Sequence, residues 1–182
     1  MQLIELAIVI SCIVFLYYLK TIYISKMLVK EGFVSGKKYK VRKDSPNVSV
    51  VLLEKLNTLL EDLRNIPDDD YRLEKLRNTR VTIHESDPTK KGNSYTISKQ
   101  EIHMCLRGED NVSFTDINTL KFVFLHELAH VVNSSYGHDK DFWETFEFLL
   151  NKSIEIGHYN AVDYDAHHKK YCNIEITSSP LF

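Results

Sequence analysis

The chain has 182 residues, of which 43% are hydrophobic and 26% charged, a composition typical of an ordinary globular protein. Its net charge of −2 excludes a strongly basic, nucleic-acid-coating protein, so the sequence does not indicate a nucleic-acid partner. Cys12, Cys105 and Cys172 are odd in number and far apart in sequence. We therefore expect no disulfide framework and a reducing compartment.

The first element in chain order is an apolar segment. Residues 3–19 are apolar except for Glu5, and with residues 21–24 they approach the ~20 residues needed to cross a bilayer. A cleaved signal peptide and a buried core helix are the alternatives. The signal peptide fits less well, because no basic region precedes the segment and no small-residue cleavage site follows it. The sequence therefore predicts a transmembrane anchor over residues 1–24.

A basic stretch follows this segment. Eight lysines and arginines lie between Lys20 and Lys43, opposed by Glu31 alone, and the stretch also contains Gly32 and Gly36. We interpret residues 25–44 as a juxtamembrane linker. The positive-inside rule then predicts a single-pass membrane protein whose main domain, residues 45–182, is cytoplasmic.

The next segment has the pattern of an amphipathic helix over residues 46–65. Ser45 is a suitable N-cap, and Pro46 is favoured at the first helical position. Apolar side chains then recur at helical spacing. They are Val48, Leu52, Leu56, Leu59, Leu60 and Leu63. Pro67 and the three aspartates after it are expected to end the helix.

Three short segments with β-like patterns come next. They cover residues 80–85, 94–98 and 101–107, and a turn is expected at Asp87-Pro88 and Lys91-Gly92-Asn93. A second helix is predicted to begin near Ser113, whose spacing to Asp116 resembles a capping box, and to continue to about residue 134. A third is predicted over residues 139–156. The tail beyond it is assigned only a possible strand at residues 172–176.

The second helix contains His126-Glu127-Leu128-Ala129-His130, which matches the H-E-x-x-H pattern. Histidines at i and i+4 lie one turn apart on the same helix face, so both imidazoles can reach one ion. Glu127 is rotated about 100° from His126, which places it beside the ion, where a general base can take a proton from metal-activated water. A chance match on a solvated helix is the alternative.

A third metal ligand is predicted just beyond this helix. Catalytic zinc usually takes three protein ligands and leaves one position open. Gly137 can reverse the chain after the helix, which lets His138 return to the ion. We predict Zn²⁺ held by His126, His130 and His138.

Other histidines and tyrosines are weaker candidates. His84, His103, His158, His167 and His168 are more simply explained as ordinary strand or surface residues. A tyrosine hydroxyl can stabilise an oxyanion, but the sequence does not select one. The tyrosines considered for that role are Tyr136, Tyr159 and Tyr164.

Residues 126–150 resemble the WLM domain, a family of minimal zinc metallopeptidases related to SprT-type proteases, which digest DNA–protein crosslinks. The shared pattern is H-E-L-x-H, a loop with Gly before His, and an aromatic pair like Phe142-Trp143. The resemblance implies an α+β, zincin-like domain, in which a small sheet packs on the active-site helix. It implies His126, His130 and His138 as ligands and Glu127 as the catalytic acid/base. It also implies an edge strand lining the cleft, for which we expect residues 101–107.

The pattern predicts a membrane-anchored, zinc-dependent endopeptidase acting on protein or peptide substrates. Two alternatives stay open: a non-catalytic, zinc-stabilised interaction module at a membrane, and a DNA–protein crosslink protease. Glu127 favours an enzyme over a structural zinc site, which would have no use for that carboxylate. The absence of a basic patch around the motif argues mildly against a DNA-linked role.

Overall fold

A computed structural model of the protein describes residues 2–24, 27–88 and 93–182, with the side chains of residues 5–19 described in the first stretch. These residues form an α+β arrangement. The helices are α1 (Gln2–Ile24), α2 (Pro46–Arg64), α3 (Tyr71–Asn78), α4 (Ile117–Val132) and α5 (Lys140–Glu155). The strands are β1 (Met27–Glu31), β2 (Lys38–Arg42), β3 (Thr82–Glu85), β4 (Tyr95–Ile97), β5 (Glu101–Met104), β6 (Lys169–Tyr171) and β7 (Ile174–Ile176). Lys91 and Gly92 of the expected turn lie outside the described residues.

The central sheet has three strands in the order β3-β5-β4. β5 pairs with β3 in parallel and with β4 in antiparallel orientation, so β5 is the middle strand. The expectation that residues 101–107 form the edge strand is therefore wrong. The edge beside α4 is β4, because the turn after Ile97 folds β5 back between the other two strands.

The segment expected to be a linker contains a β-hairpin. β1 and β2 pair in antiparallel register, and Tyr39 and Val41 of β2 are buried. The hairpin is attached to β3 by side chains, because His84 Nδ1 accepts from the backbone N–H of Lys40 at 3.1 Å. The sequence pattern of β2 did not predict a strand, because Tyr39 and Val41 are only two apolar residues in a stretch of strongly basic composition. The division of the chain into domains stays a prediction.

The core forms where α2 packs on the sheet and on α4. The expected helix over 46–65 is observed as α2, but Val48 is 45% exposed and the inward positions are shifted. Ser45 occupies the N-cap position without a side-chain capping bond. The fully buried α2 side chains are Val50, Leu53, Leu56, Leu59, Leu60 and Leu63. At about 100° per residue these six positions cover a helix face about 180° wide, and Val48 lies just outside its margin, about 110° from the centre of the face.

One helix was not predicted from the sequence, and another begins later than expected. α3 was not predicted: Asp70 caps it by accepting from the Arg72 N–H, and Leu73 and Leu76 are buried. α4 begins at Ile117, because Asp116 is the N-cap and accepts from Thr119 N at 2.9 Å. α5 agrees with the prediction at both ends within about one residue.

Among the described residues, no helix is both long and apolar enough to cross a bilayer. The predicted single-pass membrane localisation is therefore wrong, and neither the transmembrane anchor over residues 1–24 nor the membrane partner is supported. Glu5 and Lys20 bound an apolar run of about 14 residues. At about 1.5 Å per residue such a run covers roughly 21 Å of a ~30 Å hydrocarbon layer. Met1 lies outside the described residues.

The prediction that the cysteines do not pair is also wrong. Cys105 and Cys172 form a disulfide across 67 residues of sequence, with their Cα atoms 6.4 Å apart. Cys105 follows β5, and Cys172 lies in the turn of the β6–β7 hairpin. The sequence could not show this pair, because only the packing of the C-terminal hairpin against the sheet brings the two residues together.

Candidate metal centre and cleft

Three histidine side chains converge at the C-terminal half of α4. The Nε2 atom of His138 lies 3.1 Å from the Nε2 atoms of both His126 and His130. In the part of the chain that the structure describes, this trio is the one cluster of potential ligands close enough to hold a metal ion, with its ligand atoms within 4.8 Å of one another. Imidazole nitrogens sharing a tetrahedral zinc at about 2.0–2.1 Å lie roughly 3.3 Å apart, so the donor set fits such an ion.

His138 reaches the two helix histidines because the loop after α4 is tightly held. Gly137 has a φ of 110°, a backbone conformation that favours glycine, and this reverses the chain directly before His138. Asp139 then caps α5 by accepting from the Phe142 N–H. Lys99 donates to the carbonyl oxygens of three loop residues, Asn133, Ser134 and Ser135.

A single aromatic ring packs against all three imidazoles. The centroid of Phe142, which is fully buried, lies 4.9 Å from that of His126, 4.5 Å from His130 and 4.6 Å from His138. Such packing restricts the ring orientations before any ion binds. The position of Phe142 one turn into α5 thus gives this residue a direct part in shaping the site.

The electrostatics favour neutral imidazoles, the form that ligates metals. Burial, together with the neighbouring rings of His130 and His138, lowers the pKa of His126 to about 3. Burial, together with His138 and Lys99, lowers the pKa of His130 to about 4. Each of these two imidazoles therefore has one unprotonated ring nitrogen at neutral pH, whose lone pair can bind a cation.

Glu127 lies beside the histidines and is 5% exposed. Burial raises its pKa to about 7, although a hydrogen bond from Thr96 opposes the shift. Thr96 Oγ1 donates to Glu127 Oε2 at 2.7 Å, from the edge strand across the cleft. Sequence reasoning did not find Thr96, because a threonine in a short strand carries no signal of its partner.

The cleft over the histidines has a volume of about 380 Å³. β4, α4 and the Ser135–His138 loop all contribute to its lining. The lining residues are Ser94, Tyr95, Thr96, Ser98, Lys99, His126, Glu127, His130, Ser135, Tyr136, Gly137 and His138.

The three tyrosines considered for an oxyanion role separate clearly. Tyr136 lines the cleft and is 87% exposed, with Lys99 Nζ 4.7 Å from its ring centroid. Tyr159 and Tyr164 are buried against Phe122 instead, with centroid distances of 6.1 and 4.7 Å. A fourth tyrosine, Tyr171, lies close to the site and was not singled out in the sequence.

The remaining histidines take structural positions. His103 stacks on Tyr95 and contacts Glu101 at 2.8 Å, while His84 accepts the hydrogen bond that attaches the β1–β2 hairpin. His158 contacts Asp62 at 2.6 Å. His167 and His168 are exposed in the tail.

Comparison with known proteins identifies the family. The model of the WLM domain matches residues 83–173, half of the chain, so the protein belongs to the WLM-domain family. It is 35% identical over 131 residues to the uncharacterised protein R325 of Acanthamoeba polyphaga mimivirus, covering 71% of this chain and 64% of the relative. It is 40% identical over 81 residues to protein 042R of Invertebrate iridescent virus 3, covering 44% and 50%. The chain thus spans less than two thirds of the length of these relatives.

Solved structures give a looser likeness. Wss1 from Saccharomyces cerevisiae is 19% identical with a TM-score of 0.45, over 63% of this chain and 80% of that one. A variant of Wss1 from S. pombe is 26% identical with a TM-score of 0.41, over 58% and 85%.

Proposed function

We propose that this protein is a zinc-dependent endopeptidase with a zincin-like active site. The observation that carries the proposal is the convergence of three imidazoles, close enough together to hold one metal ion, beside the buried carboxylate of Glu127. Membership of the WLM-domain family supports it. A purely structural zinc site would close with a fourth protein ligand and would have no use for a buried glutamate beside it.

His126, His130 and His138 would hold the zinc ion through their Nε2 atoms. Bound there, zinc would polarise the scissile carbonyl and make a water molecule more acidic. Glu127 would accept the proton of that water and pass it to the leaving amine. Thr96 orients Glu127 by binding Oε2, which leaves Oε1 to take the proton.

The edge strand supports a polypeptide as substrate. Among the described residues β4 pairs with β5 alone, and it borders the cleft directly opposite Glu127. A substrate segment could extend the sheet by pairing with β4 in extended form, which places successive peptide bonds over the histidines.

The test is digestion of casein and histone by the full chain, which keeps the β1–β2 hairpin with its buried Tyr39 and Val41. A chelator should stop hydrolysis, and added zinc should restore it. Glu127→Gln should lower the rate by about 10²–10⁴-fold while zinc content is retained. The matched control is Glu147→Gln, which changes an exposed glutamate of α5 and should cleave like the parent. A Glu127→Gln variant as fast as the parent would refute the mechanism.

A further inference from the structure

A second cavity, with a volume of about 300 Å³, lies beside the histidine cleft. Ser94, His126 and Glu127 line both cavities, so the second is a side pocket of the candidate active site. A group bound in the side pocket would therefore lie next to the proposed general base, Glu127.

The side pocket is apolar inside and open at one end. α4 and α5 contribute Val123 and Phe146, and the C-terminal hairpin contributes Ile176; each is at most 8% exposed. Trp143 and Ile174 are 42% and 49% exposed and stand at the opening. The volume of about 300 Å³ is at the lower end of the range for ligand-binding pockets. It suits one substrate side chain better than a longer segment of peptide.

The outer wall of the side pocket is held to the sheet at two points. The Cys105–Cys172 disulfide joins the hairpin to the end of β5, and Tyr171 donates a hydrogen bond to the Cys105 carbonyl at 2.7 Å. Ser94 then accepts from the Cys105 N–H at 3.0 Å. The wall is therefore present before substrate binds. Part of it, residues 174–178, lies beyond the end of the WLM match at residue 173.

We propose that the side pocket determines cleavage preference by taking a large apolar side chain, such as leucine or phenylalanine, from the substrate residue next to the scissile bond. The inference rests on the proposed peptidase function. Burying that side chain between Val123, Phe146 and Ile176 also aligns the adjacent peptide bond with Glu127, because the two sites share a wall.

The first test compares fluorogenic peptides that differ only by Leu, Phe, Ala or Gly at one residue flanking the cleaved bond. We expect the parent to prefer Leu or Phe over Gly by about 10- to 200-fold in kcat/KM. Thr177→Phe, at the exposed rim, should lower kcat/KM for the Leu and Phe peptides more than for the Gly peptide and so abolish most of that preference. Thr58→Phe, on an exposed position of α2 outside the pocket, is the matched control. Equal parent rates on all peptides, or an equal loss on all peptides in Thr177→Phe, would overturn the inference.

The second test measures binding without hydrolysis. Trp143 is the single tryptophan of the chain, and it stands at the pocket opening, so its fluorescence reports occupancy. In the Glu127→Gln variant, the Leu peptide should shift the emission to the blue with saturation, and the Gly peptide should not. Adding Thr177→Phe should remove the shift without introducing another indole. Identical responses to the two peptides would overturn the inference. If the parent hydrolyses none of the peptides but the Leu-selective shift is present, the proposed peptidase function fails and the pocket's selectivity stands.

Discussion

The two walls of the cleft are built in different ways. One wall, formed by α4, the loop after it and the start of α5, takes all its site residues from positions 122–146 of the chain. The other is formed by β4, the end of β5 and the β6–β7 hairpin, which are separated by up to 84 residues between Ser94 and Ser178. The helical wall carries the groups proposed to bind the metal and transfer protons, and the opposite wall contacts Glu127 through Thr96 and shapes the space in front of it.

This difference predicts different consequences of mutation. A substitution in the helical wall removes a chemical group and should affect activity strongly with little change in fold. A substitution in the opposite wall should change positioning, selectivity or stability, because its residues act through contacts between distant segments.

The largest effect is expected for His138→Ala in the helical wall. Losing one of three ligands should reduce zinc affinity by more than the 10- to 100-fold typical of losing a residue that only supports a ligand, and activity should fall with it. Zinc content after dialysis and casein turnover, measured on the same samples, provide the check. His168→Ala, an exposed tail histidine, is the control and should match the parent. Full zinc occupancy in His138→Ala would show that this residue is not a ligand.

Removal of the disulfide in the opposite wall should lower stability. Opening a closed loop of 67 residues reduces the free energy of unfolding by about 4 kcal/mol in the chain-entropy model. Urea titrations of Cys172→Ser and of Cys12→Ser, which changes the exposed free cysteine, should separate this loss from a general effect of losing a thiol. The Leu-over-Gly preference should also fall in Cys172→Ser alone. Equal stability of the two variants would contradict the structural role of the bridge.

A pH effect is expected at His84, behind the same wall. Burial lowers the pKa of His84 to about 4, from about 6.5 when unfolded. The unfolded chain therefore binds a proton that the folded chain does not as pH falls below about 6.5, and stability is lost progressively down to about pH 4. His84→Gln keeps an acceptor for the Lys40 N–H but cannot titrate. Between pH 7 and pH 5, the free energy of unfolding of this variant should therefore fall by about 2 kcal/mol less than that of the parent. Denaturant titrations at the two pH values decide this, and identical pH dependence of the two chains would contradict it.

The smallest effect is expected for Thr96→Val, which keeps shape but removes the hydroxyl bound to Glu127. We expect kcat to fall by about 10-fold, the size of one hydrogen bond to a charged group, with KM unchanged. Because that hydrogen bond lowers the pKa of Glu127, the acidic limb of the pH–rate profile should move to higher pH. Thr82→Val on β3 is the control, and a profile that does not move would show that Thr96 has no positioning role.

Several elements were predictable because their signals are local. The ranges predicted for α2 and α5 follow from signals set within a few residues, and the bounds of the observed helices agree with them. α3 was missed because Leu73 and Leu76 give only two apolar positions in a charged segment. The transmembrane prediction for the N-terminal segment counted residues 21–24 together with the apolar run, although the charge of Lys20 ends that run.

What the sequence alone determined is the constellation on the helical wall: His126 and His130 one turn apart, Glu127 between them, and Gly137 positioned to return His138. Helical periodicity and a glycine with positive φ are properties of adjacent residues, so no knowledge of the fold is needed to place them. Only the tertiary structure decided that β4 is the edge strand, that Thr96 holds Glu127, and that Cys172 joins Cys105 to close a side pocket. These contacts join residues 31 to 67 positions apart, and they form because the sheet, α4 and the C-terminal hairpin bury their apolar faces against one another.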